Sequence, residues 1–225
     1  MMNGRTLRAV FRRLFAHYGR QGWWPAETPF EVMVGAVLTQ NTAWSNVERA
    51  IAGLRAGGTL DPERILALPS PDLAETLRPS GYFRVKAERL RGLCRWYLER
   101  GGMARLETRE TETIRADLLA VDGIGPETAD DILLYALDRP VFVIDAYTRR
   151  LFARLGWIEG HEDYEALPAR IERFLGPDVP LYQEYHALIV HHAKGVCRTR
   201  PDCDRCCLAG RCAWPSTDRY RAAAC

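Results

Sequence analysis

Five cysteines, Cys197, Cys203, Cys206, Cys207 and Cys212, crowd into sixteen positions near the C-terminus, while Cys94 and Cys225 stand alone. An odd count of seven, one tight cluster and no export signal point to a metal site and away from a disulfide framework. Cys197, Cys203, Cys206 and Cys212 follow the spacing C-x5-C-x2-C-x5-C. Four thiolates from one compact loop suit a tetrahedral metal or a cubane cluster, and zinc sites more often use two CxxC knuckles where one is present here. A second constellation lies earlier: Gly123-Ile124-Gly125, then Asp145 twenty residues beyond the second glycine. Glycine reaches positive φ cheaply, so the turn reads as a tight hairpin between helices. It leaves the amides of Gly123, Gly125 and their neighbours open at the start of a helix that carries Pro126 in its first turn. Such a nest suits one phosphate and reads no sequence. Asp145 stands where a helix N-cap would stand, and a carboxylate held there stays ionised near neutrality. It can stabilise an oxocarbenium-like transition state or orient a water toward C1′ of a deoxyribose. Together the turn and the aspartate predict a site that grips a nucleic-acid backbone and does chemistry beside it.

A third group is aromatic. Trp23, Trp24 and Trp44, with Pro25 beside them, lie within 22 residues. Indole faces can sandwich an extruded base, and they hold a cationic base better through cation–π attraction. Amine chemistry is limited, since Lys86 and Lys194 are the two lysines among 31 basic residues. The net charge is +2, but from 189 to the end the chain carries an excess of +4, so the rest is −2. Four arginines, Arg198, Arg200, Arg205 and Arg211, share the cysteine loop. That local excess makes a plausible phosphate-binding surface on a near-neutral body.

The elements that must position these groups are helical. Apolar residues recur at helical spacing nearly throughout, as in Val10, Leu14 and Phe15, or Ile132, Leu133, Ala136 and Leu137. The breaks are short and rich in Pro and Gly. The pattern predicts an all-α chain of about ten helices, with 141–144 as a lone short strand. Proline at 140 ends a helix and marks the boundary between two helical lobes, 22–138 and 1–21 plus 139–225. With 47% hydrophobic and 27% charged residues, the chain is globular and not disordered. No apolar run approaches a membrane span. The basic, amphipathic N-terminus reads as a surface helix of a cytoplasmic protein and not a signal.

Four motifs stand in order: WWP at 23–25, GAVLTQNT at 35–42, GIG-x-E-[ST]-AD at 123–130 and the C-terminal cysteine loop. In these the chain, over about 7–215, resembles the helix-hairpin-helix DNA glycosylases related to endonuclease III, and among them the bacterial 3-methyladenine DNA glycosylase III group. The resemblance implies a helix-hairpin-helix at a DNA-binding cleft, with Gly123, Ile124, Gly125 and Thr128 on DNA phosphate and Asp145 as the catalytic carboxylate. Relatives that also cleave the DNA backbone carry a lysine two residues after the second turn glycine. Here that position is Glu127, which cannot form a Schiff base, so the expected enzyme is monofunctional with water as nucleophile. Trp24 and Trp44, with Trp23 and Pro25 beside them, are the expected base pocket. Gln40 matches the residue that fills the gap left by the extruded nucleotide. Tyr82 matches the one that wedges into the opposite strand. The cysteine loop, 197–212, resembles the [4Fe-4S] loop of endonuclease III relatives, whose usual first gap is one residue longer; glycosylase III proteins lack that loop. Cys206 is preferred to Cys207 because it keeps the x2 and x5 gaps. The resemblance also allows a monovalent cation at the hairpin.

The expected function is base-excision removal of alkylated purines such as 3-methyladenine from double-stranded DNA by a monomeric, nucleoid-associated bacterial protein with no membrane contact. One alternative is an endonuclease III-type glycosylase with lyase activity on oxidised pyrimidines, or an enzyme for mismatched thymine or uracil. Another is a non-catalytic lesion-binding protein.

Overall fold

The computed structural model describes residues 1–214, so Cys225 and the end of the second expected lobe lie outside the described residues. These residues are helical, as the apolar spacing requires, and no β-strand is found among them. The helices in chain order are α1 (Gly4–Tyr18), α2 (Pro29–Leu38), α3 (Trp44–Ala56), α4 (Pro62–Ala67), α5 (Ser70–Thr76), α6 (Phe83–Glu99), α7 (Gly102–Leu106), α8 (Thr111–Leu119), α9 (Pro126–Asp131), α10 (Ala146–Arg154), α11 (Ala166–Leu175) and α12 (Val179–Gly195). No helix among the described residues is long and apolar enough to cross a membrane. The stretch 141–144, expected as a strand, is an extended link without a ladder partner.

The chain divides into two compact units, Trp24–Arg139 and Met1–Trp23 with Pro140–Cys225. In the Trp24–Arg139 unit, α2 is the central helix. Thr28 caps it through its side chain, and every residue from Phe30 to Leu38 is buried, as expected for a helix apolar on all sides. It packs against α3, α6, α9 and a π-helical turn, Ile132–Ala136. Its one charged residue, Glu31, is 4% exposed. That carboxylate accepts hydrogen bonds from Arg55 at 2.6 Å and from the Glu27 amide at 3.1 Å, which offsets the cost of burying a charge. The unit ends where Asp138 turns left-handed (φ 50) and the Arg139 guanidinium donates to the carbonyls of Leu106, Glu107 and Arg109.

In the other unit, α1 packs on α11 and α12, and α10 packs on α12. Its core holds Phe142, Phe152, Tyr182 and Tyr185. The Tyr185 hydroxyl donates to Leu7 O at 3.0 Å, which satisfies a buried polar group and ties α12 to α1.

Candidate functional site

Asp145 is the N-cap of α10. Its backbone is extended (φ −89, ψ 178) and Oδ1 accepts the Thr148 amide at 2.6 Å. Oδ2 lies 3.5 Å from His186 Nε2, on α12, and both residues are buried. Burial works to raise the Asp145 pKa. The hydrogen bond and charge of His186, together with Thr148, outweigh it, and the pKa is lowered. The cap thus holds a carboxylate that is both buried and ionised. Lys194, also on α12, lies 5.6 Å above the Trp23 ring and 5.7 Å above the Tyr147 ring. Desolvation lowers its pKa, while the charge of Asp145 acts in the opposite sense.

The glycine turn connects α8 to α9, and its two glycines do different work. Gly123 has φ +79, which only glycine adopts freely, and a Cβ there would run into Arg89. Gly125 has φ −89 and open space around a notional Cβ, so it is not needed for the bend; its missing side chain leaves the start of α9 uncovered. The amide of Ile124 is spent inside the turn on Val121 O, at 3.0 Å, and its side chain is buried. Ile124, expected on phosphate, thus has its amide engaged inside the turn. Thr128 is buried, and its hydroxyl accepts from Gln40 Nε2 at 2.9 Å. Gln40 Nε2 also donates to Gly123 O at 3.1 Å, and Gln40 Oε1 accepts from Arg89 at 2.5 Å. Gln40, expected in the gap left by a nucleotide, has its amide engaged in bracing the hairpin. Asp130, fully buried, pairs with Arg115 at 2.7 Å and so fastens α9 to α8. Glu127 is exposed in the first turn of α9.

The tryptophans separate. Trp23 belongs to the same unit as Asp145, whereas Trp24, Pro25 and Trp44 belong to the other. Trp24 packs over Gly35, where a Cβ would meet ring atoms at 3.1 Å. It meets Trp44 edge-on, with centroids 5.2 Å apart and planes at 88°, and tilts on Tyr135 at 5.3 Å. Trp24 and Trp44 therefore do not form a parallel slot by themselves. Pro25 and Trp44 line a cavity with Glu27, Glu31, Glu48 and Arg55, and the Trp44 indole N–H donates to Glu48 at 2.9 Å. Tyr82 is 73% exposed in left-handed backbone (φ 46) at the start of α6.

Cys197, Cys203, Cys206 and Cys212 line one cavity with Arg154 and Trp214; Cys207 is not in its wall. Arg154 Nη1 lies 3.2 Å from Cys197 Sγ, and Cys212 Sγ lies 3.2 Å from Arg154 O. His192 Nε2 lies 3.5 Å from Cys206 Sγ. Among the described residues, no three His, Cys, Asp or Glu side chains converge closely enough to hold a single metal ion. Arg198, Arg200, Arg205 and Arg211 are exposed on this loop.

Residues 34–177 match the family described as HhH-GPD superfamily base excision DNA repair protein. The chain belongs to the HhH-GPD superfamily. It is 46% identical over 207 residues to the candidate DNA repair glycosylase MJ1434 of Methanocaldococcus jannaschii, covering 90% of this chain and 94% of that one. It is similar to the Helicobacter pylori 3-methyladenine DNA glycosylase, crystallised with 1,N6-ethenoadenine, at 30% identity and a TM-score of 0.75, covering 86% and 98% of the two chains. An endonuclease III–DNA complex shares the fold at a TM-score of 0.82 and 19% identity, covering 98% and 100%. This HhH-GPD protein is a DNA glycosylase of the base excision repair superfamily.

Three groups beside the expected residues carry no signal in the sequence. His186 follows Asp145 by 41 residues, and only the packing of α12 on α10 brings it to the carboxylate; Lys194 lies further along the same helix, 49 residues beyond Asp145. Tyr135 reaches Trp24 from a π-helical turn, a register change that apolar periodicity does not report.

Proposed function

We propose that this glycosylase hydrolyses the N-glycosidic bond of cationic, alkylated purines in duplex DNA without cleaving the strand. The observation that carries the substrate class is the cavity lined by Pro25 and Trp44, where Glu27, Glu31 and Glu48 face a single cation, Arg55. Excess negative charge suits a base made cationic by N3 or N7 alkylation. The hydrogen bond to Glu48 also leaves the indole ring of Trp44 richer in electrons for a cation–π contact. The 30% identity to the Helicobacter pylori 3-methyladenine enzyme supports the same reading.

In the proposed reaction the C1′–N bond breaks, its electron pair neutralises the departing base, and positive charge develops at C1′. Asp145, ionised and buried, stabilises that charge and orients a water, whose oxygen bonds to C1′ as its proton is lost. Glu127 offers no amine at the place from which a lyase would attack. Gly123, Gly125 and the first turn of α9 would receive a DNA phosphate, with Gln40 and Arg89 holding the turn and Tyr82 wedging the helix open. Pro25 and the Trp24–Trp44 pair would face the base, and Trp23, in the same unit as Asp145, is a further aromatic candidate.

The loop 197–212 is proposed to hold a [4Fe-4S] cluster through Cys197, Cys203, Cys206 and Cys212. The donor set fits: those four thiols share a cavity that excludes Cys207, and the Arg154 cation stands beside the Cys197 sulfur. Ligands of a four-iron cluster bond to separate irons and need not converge on one point. Such a cluster would fix the fold of the arginine-bearing loop.

A second reading, a neutral base with an exposed carbonyl such as mispaired uracil or thymine, rests on Lys194. The Lys194 amine, which feels the charge of Asp145 and lies over the Trp23 and Tyr147 rings, disfavours a second cation and can donate to a carbonyl. Duplexes each carrying one lesion (3-methyladenine, 7-methylguanine, ethenoadenine, oxidised pyrimidine, uracil or thymine opposite guanine) separate the two when released base is measured by chromatography. Release of methylated purines is expected; release confined to uracil or thymine overturns the substrate class in favour of the second reading. Borohydride added during turnover should trap no covalent complex, and an abundant trapped complex would overturn the hydrolytic mechanism.

A further inference from the structure

We propose that Tyr18 and His192 form a tautomer lock that sets the redox poise of the iron–sulfur cluster through Cys206. The inference rests on the cluster reading above. His192 is fully buried on α12. Its Nδ1 lies 2.8 Å from the Tyr18 hydroxyl, and its Nε2 lies 3.5 Å from Cys206 Sγ. A neutral imidazole has one N–H and one lone pair. An iron-bound thiolate only accepts, so Nε2 must carry the hydrogen and point it at sulfur. Nδ1 is then the acceptor, and Tyr18, on α1, donates to it. Tyr18 thereby fixes which imidazole nitrogen faces the cluster, as hydrogen-bond partners of metal-site histidines generally do.

An N–H directed at a cluster sulfur stabilises the more negative, reduced level and raises the reduction potential. Arg154 supplies a comparable donor at Cys197, at 3.2 Å. Unlike the arginine, the histidine donor depends on a distant hydroxyl for its orientation, so a change at Tyr18 should be felt at the iron without touching a ligand. The cysteine spacing says nothing of this, because Tyr18 lies 174 positions from His192.

The test compares wild type with Tyr18→Phe, His192→Leu and His192→Gln, each loaded with iron. Iron content and absorbance near 400 nm report the cluster, and a redox titration reports its midpoint potential. His192→Leu should shift the midpoint negative by at least tenfold in the oxidation equilibrium, about 59 mV for one electron. Tyr18→Phe should shift it the same way by less, and His192→Gln, which keeps an N–H donor, should fall between wild type and His192→Leu. Tyr18→Phe removes one oxygen from a half-buried side chain, so it carries the test if His192→Leu does not fold. Unchanged midpoints in iron-loaded Tyr18→Phe and His192→Leu overturn the lock alone. A colourless, iron-free wild type overturns the cluster reading and the lock with it.

Discussion

Asp145 has a structural task as a helix cap and a proposed chemical one, and a single substitution separates them. Asparagine caps helices as well as aspartate does, whereas alanine loses the cap at a cost of about 1 kcal/mol. Asp145→Asn should therefore keep the helix cap and DNA binding of wild type, losing stability only through the His186 pair, while base release falls at least ~100-fold; retention of release would remove Asp145 from the chemistry. Tyr82 offers the converse separation. It is 73% exposed and left-handed, a backbone state that costs a residue with a side chain about 1–2 kcal/mol and costs glycine little. Tyr82→Gly should gain up to about 1 kcal/mol of stability in urea titrations and lose rate on duplex substrates, with less loss on single strands where no stack has to be opened. A variant less stable than wild type would show that the tyrosine packs in solution. Sequence spacing was sufficient to place Asp145 at a helix start, because capping chemistry is local. It could not place His186, whose approach at 3.5 Å depends on two helices packing.

At the scale of elements, Lys86 shows how α2 and α6 are joined. It is 1% exposed, and Nζ donates to Leu38 O at 2.8 Å, the last carbonyl of α2, and to Ser80 O at 2.6 Å, in the turn before Tyr82. Burial first, and the charge of Arg89 second, push its pKa down from 10.5 to about 8. Below that value both folded and unfolded chains are protonated, and the native state bears the full cost of a buried cation. From about 8 to 10.5 the native state has released the proton that the unfolded chain still holds, so stability rises with pH across this window. Urea midpoints of wild type and Lys86→Met should therefore move apart in favour of wild type between roughly pH 7 and pH 10; parallel curves would mean that the amine titrates normally. The helices themselves were legible in the sequence, since apolar spacing, Pro at helix starts and Gly after them are local signals. The 141–144 stretch misled because a β-branched, aromatic run looks the same whether or not a neighbouring strand exists to pair with it. The two glycines of the hairpin looked equivalent for a similar reason: φ at Gly123 is dictated by the path into α9, which composition does not encode.

At the scale of the whole molecule, the charge distribution sets the terms on which DNA is held. The net charge of +2 leaves little nonspecific attraction, so phosphate contacts must be concentrated. The exposed Arg198, Arg200, Arg205 and Arg211 on the cysteine loop are one candidate source of them, beside the exposed Arg5, Arg8, Arg12 and Arg13 of α1. Each arginine that neutralises a phosphate releases condensed counterions and adds about 0.9 to the slope of log affinity against log salt. Replacing the four by alanine should flatten that slope by up to about 3.6 and weaken undamaged and damaged duplexes alike, because phosphate contacts position the protein without reading the base. Base release at saturating DNA should be unchanged, since none of the four approaches Asp145 in any hydrogen bond or ion pair of the described residues. If the loop carries the proposed cluster and the cluster holds these arginines in place, removing iron should flatten the slope in the same direction. A slope that keeps its value after iron removal, but not after the arginine replacements, would assign the loop its charge without assigning the cluster its scaffold.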